Sequence, residues 1–133
     1  MKNTLFEKAV DRYKGGKFII LSDTDTLIYD MLKSMISEKD ANITLQKVSM
    51  SDSFAVSNKT PDNSVDLVYL PYTNNIYCEL ELWFRTVKTN GIICGMDDGD
   101  SAHPGIVYGV NEYFGHNIIP DTNHRPFWAV MHK

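Results

Sequence analysis

The stretch "VKTNGIICGMDDGD", Val87–Asp100, decides how the rest of the chain is read. Val87 closes a helical pattern, "TNG" supplies a turn, and "IICGM" is a compact apolar run near 91–95. A run with apolar residues toward both faces is the pattern of a strand buried inside a sheet. Three carboxylates, Asp97, Asp98 and Asp100, follow at once. Acids in a loop are commonly just solvated. The carboxyl end of a strand in an open α/β sheet is also where such folds place their ligands.

Working outward, the same pattern recurs. "KFIIL" (17–21) follows Gly15-Gly16, "VDLVYL" fills 65–70, "NITLQKVSM" holds an imperfectly alternating strand near 43–48, and "FWAVM" closes the series at 127–131. Helical spacing separates these runs. "LFEKAVDRY" places Leu5, Phe6, Val10 and Tyr13 on one face; "LIYDMLKSMI" does so with Leu27, Met31, Leu32, Met35 and Ile36. "YCELELWFRTV" aligns Leu80, Trp83, Phe84 and Val87, and "PGIVYGVNEYFG" opens on Pro104 and stops at Gly115. "SDSFAVSNKTPDNS" reads as a loop with one helical turn near Phe54. Strands alternating with helices predict an α/β fold. Its sheet is mainly parallel, with helices on both faces and an antiparallel last strand. With 133 residues, a single domain over 1–133 is expected.

Composition narrows the function classes. The chain is 43% hydrophobic and 23% charged with a formal net charge of −4. Its basic residues are scattered, which argues against a nucleic-acid groove. Cys78 and Cys94 lie in apolar patterns without metal-ligand spacing and read as two buried free thiols of a reducing compartment. Neither a signal peptide nor a membrane span is apparent, so a cytoplasmic protein with no membrane partner is expected. Asp23 and Asp25, in "SDTDT", suit the N-cap of the helix that follows. The "DDGD" cluster with His103 reads first as a solvated loop capping the helix at Pro104, and no metal is assigned to it. His116, His124 and His132 are scattered and read as structural or surface residues. Tyr69, Tyr72 and Tyr77 gather about the end of the "VDLVYL" strand, with core packing as their default role.

From Val65 to Gly115 the succession "VDLVYL", "LWFRTVKTNGIICGMDD" and "HPGIVYGVNEYFG" resembles the second half of class I S-adenosylmethionine-dependent methyltransferases. The resemblance implies a three-layer, Rossmann-like domain that transfers a methyl group to a small-molecule or other acceptor, with S-adenosylmethionine as cofactor. The cofactor is then expected over the end of the first strand, at Ser22, Asp23, Thr24 and Asp25. Asp52 matches the family's acid near the adenine, and Asp97 and His103 face the substrate as candidate proton acceptors. Two departures bear on activity. "FIILSDTDT" has no glycine in the turn where the family's backbone closely approaches the cofactor, and Pro71 stands where the family ends a strand in an acid. The chain therefore resembles a minimal or catalytically weakened member, the alternative being a non-catalytic partner-binding module on the same fold. Only one strand fits between the second helix and Val65, which leaves a sheet edge that a homodimer could cover. "ILSDTDTL" also resembles the start of haloacid dehalogenase-type phosphatases. There Asp23 would be nucleophile, Asp25 general acid, and Asp97 or Asp98 a magnesium ligand. In this chain that motif lacks its glycine and runs one residue short.

Overall fold

Val65–Leu70 is buried at every position, so this strand must lie between layers and inside a sheet. The structure, a computed structural model, describes residues 4–22, 26–71, 73, 75–96, 104–115 and 127–132. In chain order it has α1 (Thr4–Arg12), β1 (Lys17–Ser22), α2 (Leu27–Glu38), β2 (Thr44–Ser49), a 3-10 turn (Met50–Asp52) and α3 (Ser53–Lys59). There follow β3 (Val65–Leu70), α4 (Ile76–Trp83), a second 3-10 turn (Phe84–Thr86), β4 (Val87–Met96), α5 (Pro104–Phe114) and β5 (Phe127–Met131). The sheet order is β2-β1-β3-β4-β5. Every pairing is parallel except β4 with β5. This is a three-layer α/β arrangement of the Rossmann-like kind, with the antiparallel last strand that the sequence predicts.

Alternation along the strands builds two cores. Ile19, Leu21, Val68, Leu70 and Ile93 face one way and pack under Ile76, Leu80 and Trp83 of α4 and Val110 of α5. Phe18, Ile20, Leu67, Tyr69 and Cys94 face the other way, against Leu5, Phe6, Ala9 and Val10 of α1 and Leu32 of α2. The glycine before β1 is needed for close approach. A Cβ on Gly16 would lie 2.2 Å from Asp66 Oδ2, the atom that accepts the Lys17 N–H at 2.9 Å. Gly95 is similarly constrained: a Cβ there would lie 2.6 Å from the Leu70 carbonyl oxygen and 2.7 Å from the Trp128 ring.

Several expectations need correction. The segment read as a loop around Phe54 contains a seven-residue helix, α3. Its apolar content is low, and it is held instead by polar bonds that periodicity cannot report. Ser57 Oγ donates to the Leu82 carbonyl at 2.7 Å, and Arg85 Nη1 donates to the Thr60 carbonyl at 2.9 Å and to Asp62 at 2.8 Å. "VKTNG" is not a stop between helix and strand, because β4 already begins at Val87. Val87 pairs with Val65 but Ile92 with Leu67, so residues 88–91 bulge opposite Asp66, with Asn90 at a φ of 70°. Leu27 does not join the core face of α2 but is 64% exposed. Cys78 is exposed rather than buried, whereas Cys94 is buried, as expected. Among the described residues no helix is long and apolar enough to cross a membrane.

Candidate functional site

The chain passes from β1 outward to β2, then crosses back over β1 to β3. The strand order therefore reverses between β1 and β3. The helix after β1, α2, packs on one face, and the helix after β3, α4, packs on the other. At such a switch point the two loops diverge and leave a crevice beyond the carboxyl ends of the strands. Register aligns what borders it. Ser22 pairs with Ser49, and the β1–β3 register, Ile19 with Val68, carries Ser22 level with Pro71. On β4 the strand ends at Met96, opposite Phe127 of β5.

The side chains along this edge have a common character. Ser22 is 6% exposed and ends β1 under its neighbours. Beyond β2 the chain turns through Met50–Asp52, where Ser51 N–H bonds Ser49 Oγ at 3.4 Å and Asp52 is left exposed. Leu27, Phe54 and Tyr77 are the exposed large hydrophobics among the described residues, at 64%, 65% and 39%. All three stand in the first turn of the helices that follow β1, β2 and β3, so all three belong to the carboxyl edge. Sequence reasoning placed Tyr77 at the end of the β3 strand with core packing as its default, where it is instead exposed, and it missed Leu27 and Phe54 because it sought acids there. Their position one or two residues inside a helix after a buried strand was the available signal.

Behind this edge lies a buried polar clasp that fixes α3 against α4. Trp83 Nε1 donates to Ser53 Oγ at 2.8 Å, and Ser53 Oγ donates to Glu79 Oε2 at 3.1 Å. Burial raises the Glu79 pKa above the ordinary carboxylate range, and the Ser53 hydrogen bond opposes that rise. The clasp sets the helix starts that carry Phe54 and Tyr77. Tyr77 also meets Tyr113 of α5 edge-on at 5.3 Å between ring centres.

Of the residues singled out from sequence, Ser22 comes to this edge at the end of β1 and Asp52 in the turn that follows the neighbouring β2. Asp23, Thr24, Asp25, Asp97, Asp98, Asp100 and His103 lie outside the described residues, as do Tyr72, His116 and His124. At the described start of α2 the N-cap is Thr26, whose Oγ1 bonds Asp30 Oδ2 at 2.9 Å. His132 is structural: its Nδ1 sits 2.8 Å from the Val87 carbonyl oxygen and its ring 4.6 Å from that of Phe84. Tyr69 is core. Among the described residues no group of three or more histidine, cysteine, aspartate or glutamate side chains is placed to hold a metal.

The described residues suit an adenosyl group. Asp52 offers an exposed carboxylate able to accept from the adenine amino group, and the Phe54 ring, two residues on, offers a flat apolar face.

No protein-family profile matches this chain, and no curated protein matches it. Solved structures do. A structural-genomics protein from Corynebacterium glutamicum aligns with a TM-score of 0.46 at 11% identity, over 74% of this chain and 59% of that one. YcgJ from Bacillus subtilis aligns at 0.43 and 16% identity, over 81% and 55%. TYW2 from P. horikoshii, in complex with MeSAdo, aligns at 0.38 and 8% identity, over 96% and 60%. The chain thus spans less than two-thirds of the length of each.

Proposed function

We propose that this chain is a methyltransferase-like protein that binds S-adenosylmethionine at the carboxyl edge between β1 and β3, in a minimal or catalytically weakened form. The observation that carries the reading is the switch point itself, bordered by Ser22, Asp52 and the exposed Phe54, Leu27 and Tyr77. The sequence resemblance over Val65–Gly115 supports the same cofactor. When bound, that cofactor supplies an electrophilic methyl group on a sulfonium centre.

The chain's own contribution is chiefly positioning. Asp52 accepts from the adenine end of the adenosyl group, Phe54 lies against the adenine ring, and the end of β1 at Ser22 carries the methionine portion. Leu27 and Tyr77 flank the crevice with apolar surface and limit access of water. Methyl transfer is a direct displacement, so orientation can supply much of the rate and a strong base is optional. Where the acceptor carries a proton, Asp97 or His103 takes it as the methyl group moves.

A second reading keeps the fold and the edge but not the chemistry: a partner-binding module. It is favoured by the side chain of Ser22, buried at the end of β1 where the family has its glycine-rich turn, and by Pro71 at the end of β3. Titration calorimetry with S-adenosylhomocysteine separates the two. The cofactor reading expects a micromolar to sub-millimolar Kd, about −5 to −8 kcal/mol. It also expects Phe54→Ala to weaken binding by roughly 0.5–1.5 kcal/mol through loss of the ring contact. Absence of heat at millimolar ligand would leave the partner-binding reading.

A further inference from the structure

The two faces of the sheet are covered unequally. α3, α4 and α5 pack on one face, whereas α1 and α2 share the other. On that second face α1 stops short of β4 and β5, leaving a cleft of about 280 Å³ between the helix and the sheet. Its floor is Ile92 on β4 with Ala129 and Met131 on β5. The registers Ile92 with Met131 and Cys94 with Ala129 place these side chains together on one face. Toward α1 the wall is Leu5 and Ala9. The floor of the cleft lies level with Ile92 and Cys94 of β4, within the sheet rather than beyond the carboxyl ends of its strands. It is a separate place from the site proposed above.

Charge is placed on one wall only. Leu5, Lys8, Ala9 and Arg12 fall at i, i+3, i+4 and i+7 of α1, a single helical stripe, so two cations one turn apart overlook the apolar floor. Both are exposed, and neither is ion-paired with a described residue. Arg12 lies over the Tyr13 ring at 5.6 Å. The long stems of such side chains cover apolar surface while their heads stay in water. In a chain of net charge −4 this is a local positive field at the mouth of an apolar slot.

We propose that this cleft binds a free amphiphilic monoanion, a single aliphatic chain ending in a carboxylate. The tail lies on Ile92, Ala129 and Met131, and the head group meets Lys8 and Arg12. At about 30 Å³ per water-sized group, the slot accommodates on the order of nine such groups. That size suits one medium-length chain. Alanine at 9 and 129 keeps it open, since a larger side chain at either position would fill it. A bilayer surface suits the cleft less, because the acidic protein around it is repelled by anionic lipid and the slot admits one chain.

Calorimetry with hexanoate, octanoate and decanoate, each below its micellar concentration, tests the assignment. Affinity should rise about three- to fourfold per added methylene until the slot is full, following the transfer free energy of a methylene. The Lys8→Ala/Arg12→Ala double variant should bind decanoate at least about tenfold more weakly, with little change toward decanol. Both side chains are exposed, so this variant keeps the fold. Ala129→Leu should abolish binding while leaving the thermal midpoint near that of the parent. S-adenosylhomocysteine affinity should be unchanged in every variant, which keeps this result distinct from that of the switch-point site. Binding that is independent of chain length, or undiminished in Ala129→Leu, would overturn the assignment. So would a dimer that decanoate fails to dissociate and that Ala129→Glu breaks, because a second copy would then be the occupant.

Discussion

Ser53→Ala removes the hydroxyl at the centre of the buried clasp between α3 and α4. In the parent this oxygen accepts from Trp83 Nε1 at 2.8 Å and donates to Glu79 at 3.1 Å. Trp83 is fully buried and Glu79 is 7% exposed, so water cannot readily replace either partner. An orphaned buried donor costs about 1–3 kcal/mol, and a carboxylate losing a donor costs a similar amount. The two losses share one atom and do not simply add, which gives roughly 2–4 kcal/mol. The pH dependence makes the test specific. Burial holds the folded Glu79 pKa above its unfolded value. The stability tied to its proton is therefore fully present below the ordinary carboxylate range and is lost as pH rises through the folded value. Ser53 opposes that rise. Removing it lifts the folded pKa further and carries the loss to higher pH, so the deficit of Ser53→Ala should grow from acid to neutral conditions. Glu79→Gln should flatten the pH profile while retaining an acceptor for the serine. Urea unfolding of the three proteins across that range reads both effects. A Ser53→Ala variant within about 0.5 kcal/mol of the parent, the scatter of ordinary surface changes, would refute the reasoning.

Gly95→Ala should destabilise by about 1–3 kcal/mol in urea unfolding, because the added methyl meets the Leu70 carbonyl oxygen and the Trp128 ring, both in the packed interior. Thiol titration of the native protein should modify Cys78 quickly and spare Cys94 until denaturant is added, since Cys78 is exposed and burial pushes the Cys94 thiol pKa up. If the chain is a working methyltransferase, Asp97→Asn should lower turnover at least about tenfold, some 1.4 kcal/mol, and Asp100→Asn much less. Equal losses at the two positions would mean that the acidic cluster acts only through its summed charge.

What the sequence made legible follows from how each element is stabilised. β1, β3 and β4 are apolar runs because both faces are covered, and such runs are visible without any partner in view. β2 is an edge strand with one buried residue, Val48, yet its β-branched content still marked it. α3 was hidden because its seven residues bury Ser53 and Ser57 rather than an apolar stripe. Its anchors, Glu79, Leu82, Trp83 and Arg85, lie more than twenty residues away. Leu27 obeyed helical spacing but stands at the first position of α2, where the helix has just left the sheet edge, and is 64% exposed. At the candidate site, the sequence pointed to the carboxyl edge through its acids and the resemblance, and of those candidate acids only Asp52 lies among the described residues. The full apolar border of Leu27, Phe54 and Tyr77 emerged only once three separate helix starts were brought to the carboxyl edge of the sheet.

The edge between β1 and β3 is proposed above as the S-adenosylmethionine site. Amide chemical-shift mapping of labelled protein during titration with S-adenosylhomocysteine tests it most directly. Saturable shifts are expected at Ser22, Ser49–Phe54 and the first turn of α4 around Tyr77, with a micromolar to sub-millimolar Kd. Shifts confined to other surfaces, or none at millimolar ligand, would contradict it.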